Sequence, residues 1–260
     1  MVSEHNEDSI LSNLQSSIVR TIIVSLMMVA CLLSADAAAV ADEKKSLEYD
    51  PPSAYHLMNI EGWDVYVHKH LLREEKQLGD DAIKLLTNKL YEIRRAIPRK
   101  PLAELMKVPI WLEFENDKFN LCACYHVSED WLKKNGFLPQ KAKSVEISSA
   151  KRFLEWTHDQ PSMVLHELTH GYHDRVLGYD DKTIEAAFER AKQSGKYEQV
   201  LRYKGTTEKH YALENAMEYF AESTEAFFGT NDYYPFVRAE LKQHDPGMHQ
   251  LLNEIWGTDK

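Results

Sequence analysis

Cysteine is scarce, with three residues in 260. Such a chain cannot carry the dense disulfide framework of a small secreted scaffold, so its folded part must rest on a hydrophobic core. Long apolar runs are also lacking. The main one, residues 22–33 (IIVSLMMVACLL), is too short to span a bilayer comfortably. A mean hydropathy of −0.49 excludes a polytopic membrane protein. No Lys/Arg run stands out, and 31 basic residues against 41 acidic ones leave a formal charge of −10. That balance argues against nucleic acid as a partner, since phosphate neutralisation needs clustered cations. There is no internal repeat, and no low-complexity linker follows residue 55. What is there is ordinary globular material, 43% hydrophobic and 28% charged, long enough for one domain to bury a real core.

The N-terminus reads differently. Arg20, the apolar run and the small residues Ala35, Ala37, Ala38 and Ala39 together describe a secretory signal peptide. The expected organisation is a signal peptide over 1–39, a polar leader over 40–54 and one domain over 55–260. The chain is then secreted or otherwise extracytoplasmic. An uncleaved N-terminal segment would make it membrane-anchored instead, and no other stable membrane partner is expected. Cys122 and Cys124 alone would survive processing.

Within the domain, residues 63–68 alternate as a strand does, and 108–114, 119–127 and 144–148 read as further strands. Ile83, Leu86, Leu90, Ile93 and Ile97 recur at helical spacing over 78–97, ahead of Pro98. Helical patterns follow over 161–177, 182–194, 213–228 and 246–256. Strands first and helices later predict an α+β fold with one core.

The informative pentapeptide is His166-Glu167-Leu168-Thr169-His170, within the 161–177 helix. At 100° per residue the two histidines share a face, one turn apart, so both imidazoles can reach one ion. Glu167 lies beside them, placed to hold a water without being a ligand. This is the H-E-x-x-H pattern of zinc peptidases. Met163, Val164, Leu165 and Leu168 make the helix largely apolar, as a buried central helix should be. A catalytic zinc takes a third protein ligand. The long metzincin pattern is excluded, because His173 and Val176 stand where it needs Gly and His. His173 lies too far along the helix axis to be that ligand, since seven residues span about 10 Å. It is expected to support the site, face substrate or pack. The acidic stripe Glu214, Glu218, Glu222 and Glu225 offers carboxylates on one helix face, and spacing alone does not rank them.

The segment from His166 to Asp174 (HELTHGYHD), followed by Tyr211 to Glu222 (YALENAMEYFAE), resembles the catalytic domain of anthrax lethal factor and the related Pro-Pro endopeptidases of the gluzincin clan. The resemblance covers about residues 161–256. It implies a zincin-like fold, a small twisted sheet packed on the active-site helix, with Zn²⁺ as cofactor and a peptide or protein as substrate. It implies that Glu218 is the third zinc ligand and that the Tyr211 hydroxyl supports the oxyanion. Glu222 would support the ligands, and His173 and Asp174 are placed with it. Glu167 would be the general base of a metalloendopeptidase.

Two other readings use the same fold: a non-catalytic zinc-binding or adhesion domain, and an intracellular regulatory binding protein. Cys122, Cys124 and His126 alternate onto one face of a strand. They are expected to be half-buried packing residues rather than a second metal site. An edge strand near 145–148 is expected to pair with an extended substrate.

Overall fold

The computed structural model describes residues 49–115 and 122–258, all within one compact unit, residues 47–260. The expected signal peptide and most of the leader lie outside the described residues. No helix among those described is long and apolar enough to cross a membrane.

The fold opens with a hairpin. Strand β1 (Tyr55–Ile60) pairs antiparallel with β2 (Trp63–His68). Glu61 and Gly62 both have positive φ, 54° and 105°, as the tight turn between twisted strands requires. Helices α1 (Lys69–Arg73), α2 (Lys76–Ala96) and α3 (Arg99–Leu105) lead to β3 (Ile110–Leu112). Helix α2 buries Ala82, Leu86, Leu90 and Ile93, and it ends at Ile97 ahead of Pro98. Next come β4 (Ala123–Tyr125), α4 (Glu129–Lys134), β5 (Val145–Ile147) and α5 (Ala150–Trp156). The strand order is β1-β2-β3-β5-β4, with β2, β3 and β5 parallel and both outer strands antiparallel to their neighbours.

The second half is helical: α6 (Met163–Tyr172), α7 (Lys182–Ser194), a short hairpin of β6 (Val200–Leu201) and β7 (Thr207–Glu208), then α8 (Ala216–Phe228), α9 (Arg238–His244) and α10 (Pro246–Trp256). The α+β expectation therefore holds, with a small sheet and a helical C-terminal half.

One face of the sheet, carrying Val65, Val67, Ile110, Leu112, Val145 and Ile147, joins α2 and α6 in the main core. Burying six such side chains is worth about 1.5–3 kcal/mol each before chain entropy is subtracted. The opposite face carries a smaller cluster of Tyr55, Trp111 and Leu138. One expectation is corrected here. Residues 145–147 are not an edge strand: β5 lies between β3 and β4, and β4 forms that edge of the described sheet. The pattern misled because all three residues of β5 are buried, Glu146 included, so hydrophobic alternation gave no guide to which strand sits outside.

Candidate metal centre

Helix α6 runs beneath the sheet and packs against both β4 and α8. A single π-helical turn over His173–Leu177 continues it, and Gly178 ends it at φ 85°. The helix is almost wholly buried, and at Gly171 the side chains of Val108 and Tyr125 press close against it. A Cβ there would stand 2.9 Å from Val108 Cγ2 and 3.1 Å from Tyr125 Cε2. Only glycine leaves room for that approach.

Helix α8 begins at a fixed point. Asn215 Oδ1 accepts from the backbone N–H of Met217 and of Glu218, both at 2.9 Å, capping the first turn. Glu218 thus sits in the first turn, where the helix dipole favours a carboxylate. Just before it, residues Tyr211–Leu213 form a 3-10 turn, capped by His210 Nδ1 accepting from the Ala212 N–H at 3.0 Å.

These elements bring three ligand atoms together. His166 Nε2 lies 3.0 Å from His170 Nε2 and 3.0 Å from Glu218 Oε2, and His170 Nε2 lies 3.4 Å from the same oxygen. The two rings stand at 82° to each other. Donors about 2.0–2.1 Å from a tetrahedral ion lie roughly 3.3 Å apart, so the triangle fits a zinc-sized cation. Its chemistry fits as well. Two imidazole nitrogens at this separation cannot both carry protons without repulsion, whereas two lone pairs and one carboxylate suit a divalent ion.

The electrostatics of the site favour positive charge where these atoms meet. Burial works against charge on His166, but hydrogen bonds to Glu218 and Glu225 outweigh it and hold its pKa well above the ordinary value. Burial would raise Glu218, yet the His170 charge and the His166 and His170 hydrogen bonds hold it far below the usual carboxylate range. The pocket is thus built to keep an ionised carboxylate against imidazoles.

The surrounding residues divide into distinct roles. Glu225 Oε1 is 2.7 Å from His166 Nδ1, while Glu222 Oε1 stands at 3.6 Å. Glu225 therefore orients the ring, and Glu222 accepts from Asn231 Nδ2 at 2.9 Å instead. Glu222 and Glu225 are both raised, each by burial first, and Glu222 next by the charge of Glu225. Glu214 is exposed and belongs to the solvated surface. Spacing placed Glu225 on the right face but could not rank it above Glu222.

Glu167, half-buried, points its Oε2 at the backbone N–H of Tyr125 on β4, 2.8 Å away. Asp174 Oδ2 accepts from the Tyr125 hydroxyl at 2.8 Å and from Lys143 Nζ at 2.6 Å, so it anchors β4 rather than a ligand. Tyr125 therefore lies along α6 across positions 167, 171 and 174. The sequence gives no sign of this, because a backbone N–H has no residue signature.

His173 is 1% exposed, with the rings of Tyr179 and Phe220 edge-on at 5.0 and 5.1 Å. Among the described residues neither ring nitrogen has a hydrogen-bond partner. Burial lowers its pKa to about 4, with the His170 charge adding to the effect. It packs. Tyr211 is partly buried, and its hydroxyl is raised by burial and then by the charges of Glu218, Glu222 and Glu167, the carboxylates of this site. Among the described residues Cys122 and Cys124 form no disulfide. Burial pushes the Cys122 thiol up to about 12 and raises Cys124 well above its ordinary value, while His126 Nε2 is 2.6 Å from Glu146. Among the described residues these three do not converge as ligands.

Residues 124–255 match the family described as anthrax toxin lethal factor, N- and C-terminal domain. The chain belongs to the lethal factor family. No curated protein and no solved structure matches it. The lethal factor match opens within β4 and closes within α10, so it takes in α6, α8 and every residue of the converging triangle.

Proposed function

We propose that this lethal factor family member is an exported, zinc-dependent endopeptidase of gluzincin type, with peptides or proteins as substrates. The observation that carries the reading is the meeting of His166 Nε2, His170 Nε2 and Glu218 Oε2 within 3.4 Å, beside Glu167 on the same helix. Export rests on the sequence of residues 1–39.

His166, His170 and Glu218 would hold the ion. Zinc in that position supplies Lewis acidity, making a water easier to deprotonate and a peptide carbonyl easier to attack. The Glu167 carboxylate takes the water's proton and hands it to the nitrogen of the leaving amine. The Tyr211 hydroxyl, kept protonated by burial and then by the neighbouring carboxylates, donates to the carbonyl oxygen as negative charge grows there. Glu225 holds the His166 ring by its Nδ1, which leaves Nε2 beside Glu218 and free to hold the ion. Strand β4 supplies the place for an extended peptide. His126 N–H bonds Ser144 O, and Ser148 N–H bonds Cys122 O. By alternation, the backbone groups of Ala123 and Tyr125 face away from β5, toward the edge that no described strand covers, where the Tyr125 N–H meets Glu167.

The test is digestion of a peptide library by the purified chain, with and without a chelator, alongside metal analysis. Glu167→Gln should retain the metal and lose roughly 10²–10⁴-fold in turnover. Glu218→Ala should lose the metal. Cleavage that survives chelation, or Glu167→Gln with wild-type turnover, would overturn the assignment.

A further inference from the structure

On the sheet face turned away from α6 lies a second cluster of charged groups that the peptidase reading leaves unused. Glu146 of β5 is in register with Trp111 of β3 and Cys124 of β4, so these side chains share that face. Lys141, Glu113 and Glu146 are 0%, 5% and 1% exposed. Lys141 Nζ stands 2.5 Å from Glu113 Oε1 and 2.7 Å from Glu146 Oε1. The Tyr55 hydroxyl donates to the same Glu113 oxygen at 2.7 Å, and His126 Nε2 is 2.6 Å from Glu146 Oε2. The rings of Tyr49, Tyr55 and Trp111 surround the amine, their centroids 5.5–5.7 Å from Nζ.

An amine, two carboxyl groups and a wall of aromatic rings, all sealed from water, are the components of an amide condensation. We propose that Lys141 and Glu113 become joined by an intramolecular isopeptide bond, with Glu146 as the proton acceptor. The Lys141 ammonium gives one proton to the Glu146 carboxylate. The freed Nζ attacks Cδ of the protonated Glu113 carboxyl group, and the Tyr55 hydroxyl steadies the charge that develops on Oε1. The Cδ–OH bond then breaks, the departing hydroxyl takes the second proton from nitrogen, and one water leaves. Atoms and charges balance without an oxidant or other co-reactant.

Three features favour the step. Groups held in contact reach effective concentrations of about 10⁵–10⁸ M, which offsets the tendency of water to reverse an amide. The two carboxyl groups are differentiated as the step needs. Burial raises Glu113, with the charge of Glu146 adding and that of Lys141 opposing. Burial also acts to raise Glu146, but the His126 hydrogen bond and the Lys141 charge bring it down to about 2. Finally, a buried ionic cluster carries a large desolvation cost that a neutral amide and a neutral Glu146 do not.

Mass spectrometry of the full purified chain, denatured and digested with trypsin, decides the matter without any variant. The expected result is a branched peptide joining the Glu113 and Lys141 segments, lighter than their sum by one water, with no cleavage after Lys141. Linear peptides with a free Lys141 amine and a free Glu113, accounting for the whole sample, would overturn the proposal. In Glu146→Gln, checked for native far-UV circular dichroism, the linked fraction should fall at least about tenfold, as expected for loss of a general base. Undiminished linkage in that variant would overturn the role of Glu146.

Discussion

At the residue scale, the arrangement around His166 separates two carboxylates that look equivalent in sequence. Glu225 touches Nδ1 and Glu222 does not. Outer partners of ligand histidines typically contribute 10–100-fold in metal affinity. Glu225→Gln should therefore weaken zinc binding by about that factor in a competition assay with a chelating dye. Glu222→Gln should weaken it less, and the reverse order would show that Glu222 orients the ring. Gly171 is the other decisive residue. Gly171→Ala places a methyl 2.9 Å from Val108 Cγ2 and 3.1 Å from Tyr125 Cε2, so these side chains must shift. A stability loss of about 1–3 kcal/mol is expected in urea unfolding, together with a lower kcat/KM. The meeting of His166 and His170 was legible because i, i+4 spacing alone puts two imidazoles on one helix face. Glu225 and the Tyr125 N–H were not, because their roles depend on distances between α6, α8 and β4 that no local pattern encodes.

At the element scale, long amphipathic segments announced themselves and short ones did not. Helix α2 and β2 were readable from periodicity, since each buries one regular face. The short helices α1, α3, α4, α5 and α9, of five to seven residues, and the two-residue strands β6 and β7, are too short to establish a period. Strand β1 was missed because its inner positions are largely exposed, leaving no alternation to detect. The start of α8 matters most for the site. Its Asn215 cap holds the turn that carries Glu218. Asn215→Ala should lower stability by about 1 kcal/mol and weaken zinc binding in step. An unchanged metal affinity at that reduced stability would separate the cap from the ligand geometry.

At the scale of the whole molecule, the candidate centre lies in the helical half of the fold, between α6 and α8, and is tied to the sheet through the Tyr125 N–H bond to Glu167. A ligand that binds only the folded state stabilises it by mass action, about 2.7 kcal/mol at a free concentration one hundred times Kd. Thermal unfolding should therefore shift upward on zinc addition and downward on chelation. Glu218→Ala should abolish that shift. The overall α+β order was evident from the sequence because strand and helix patterns segregate along the chain. The sheet order was not, since β5 inserts between β3 and β4 through contacts distant in sequence.

Tyr125 ties these scales together. Its amide hydrogen is spent on the Glu167 carboxylate, although the same edge of β4 is where an extended chain would dock. One N–H serves one strong acceptor at a time. A guest strand that claims it must first pry the carboxylate loose, so docking on β4 and release of Glu167 would be a single exchange. Short ligands that stop before this rung would leave the base tethered, and longer ones would set it free.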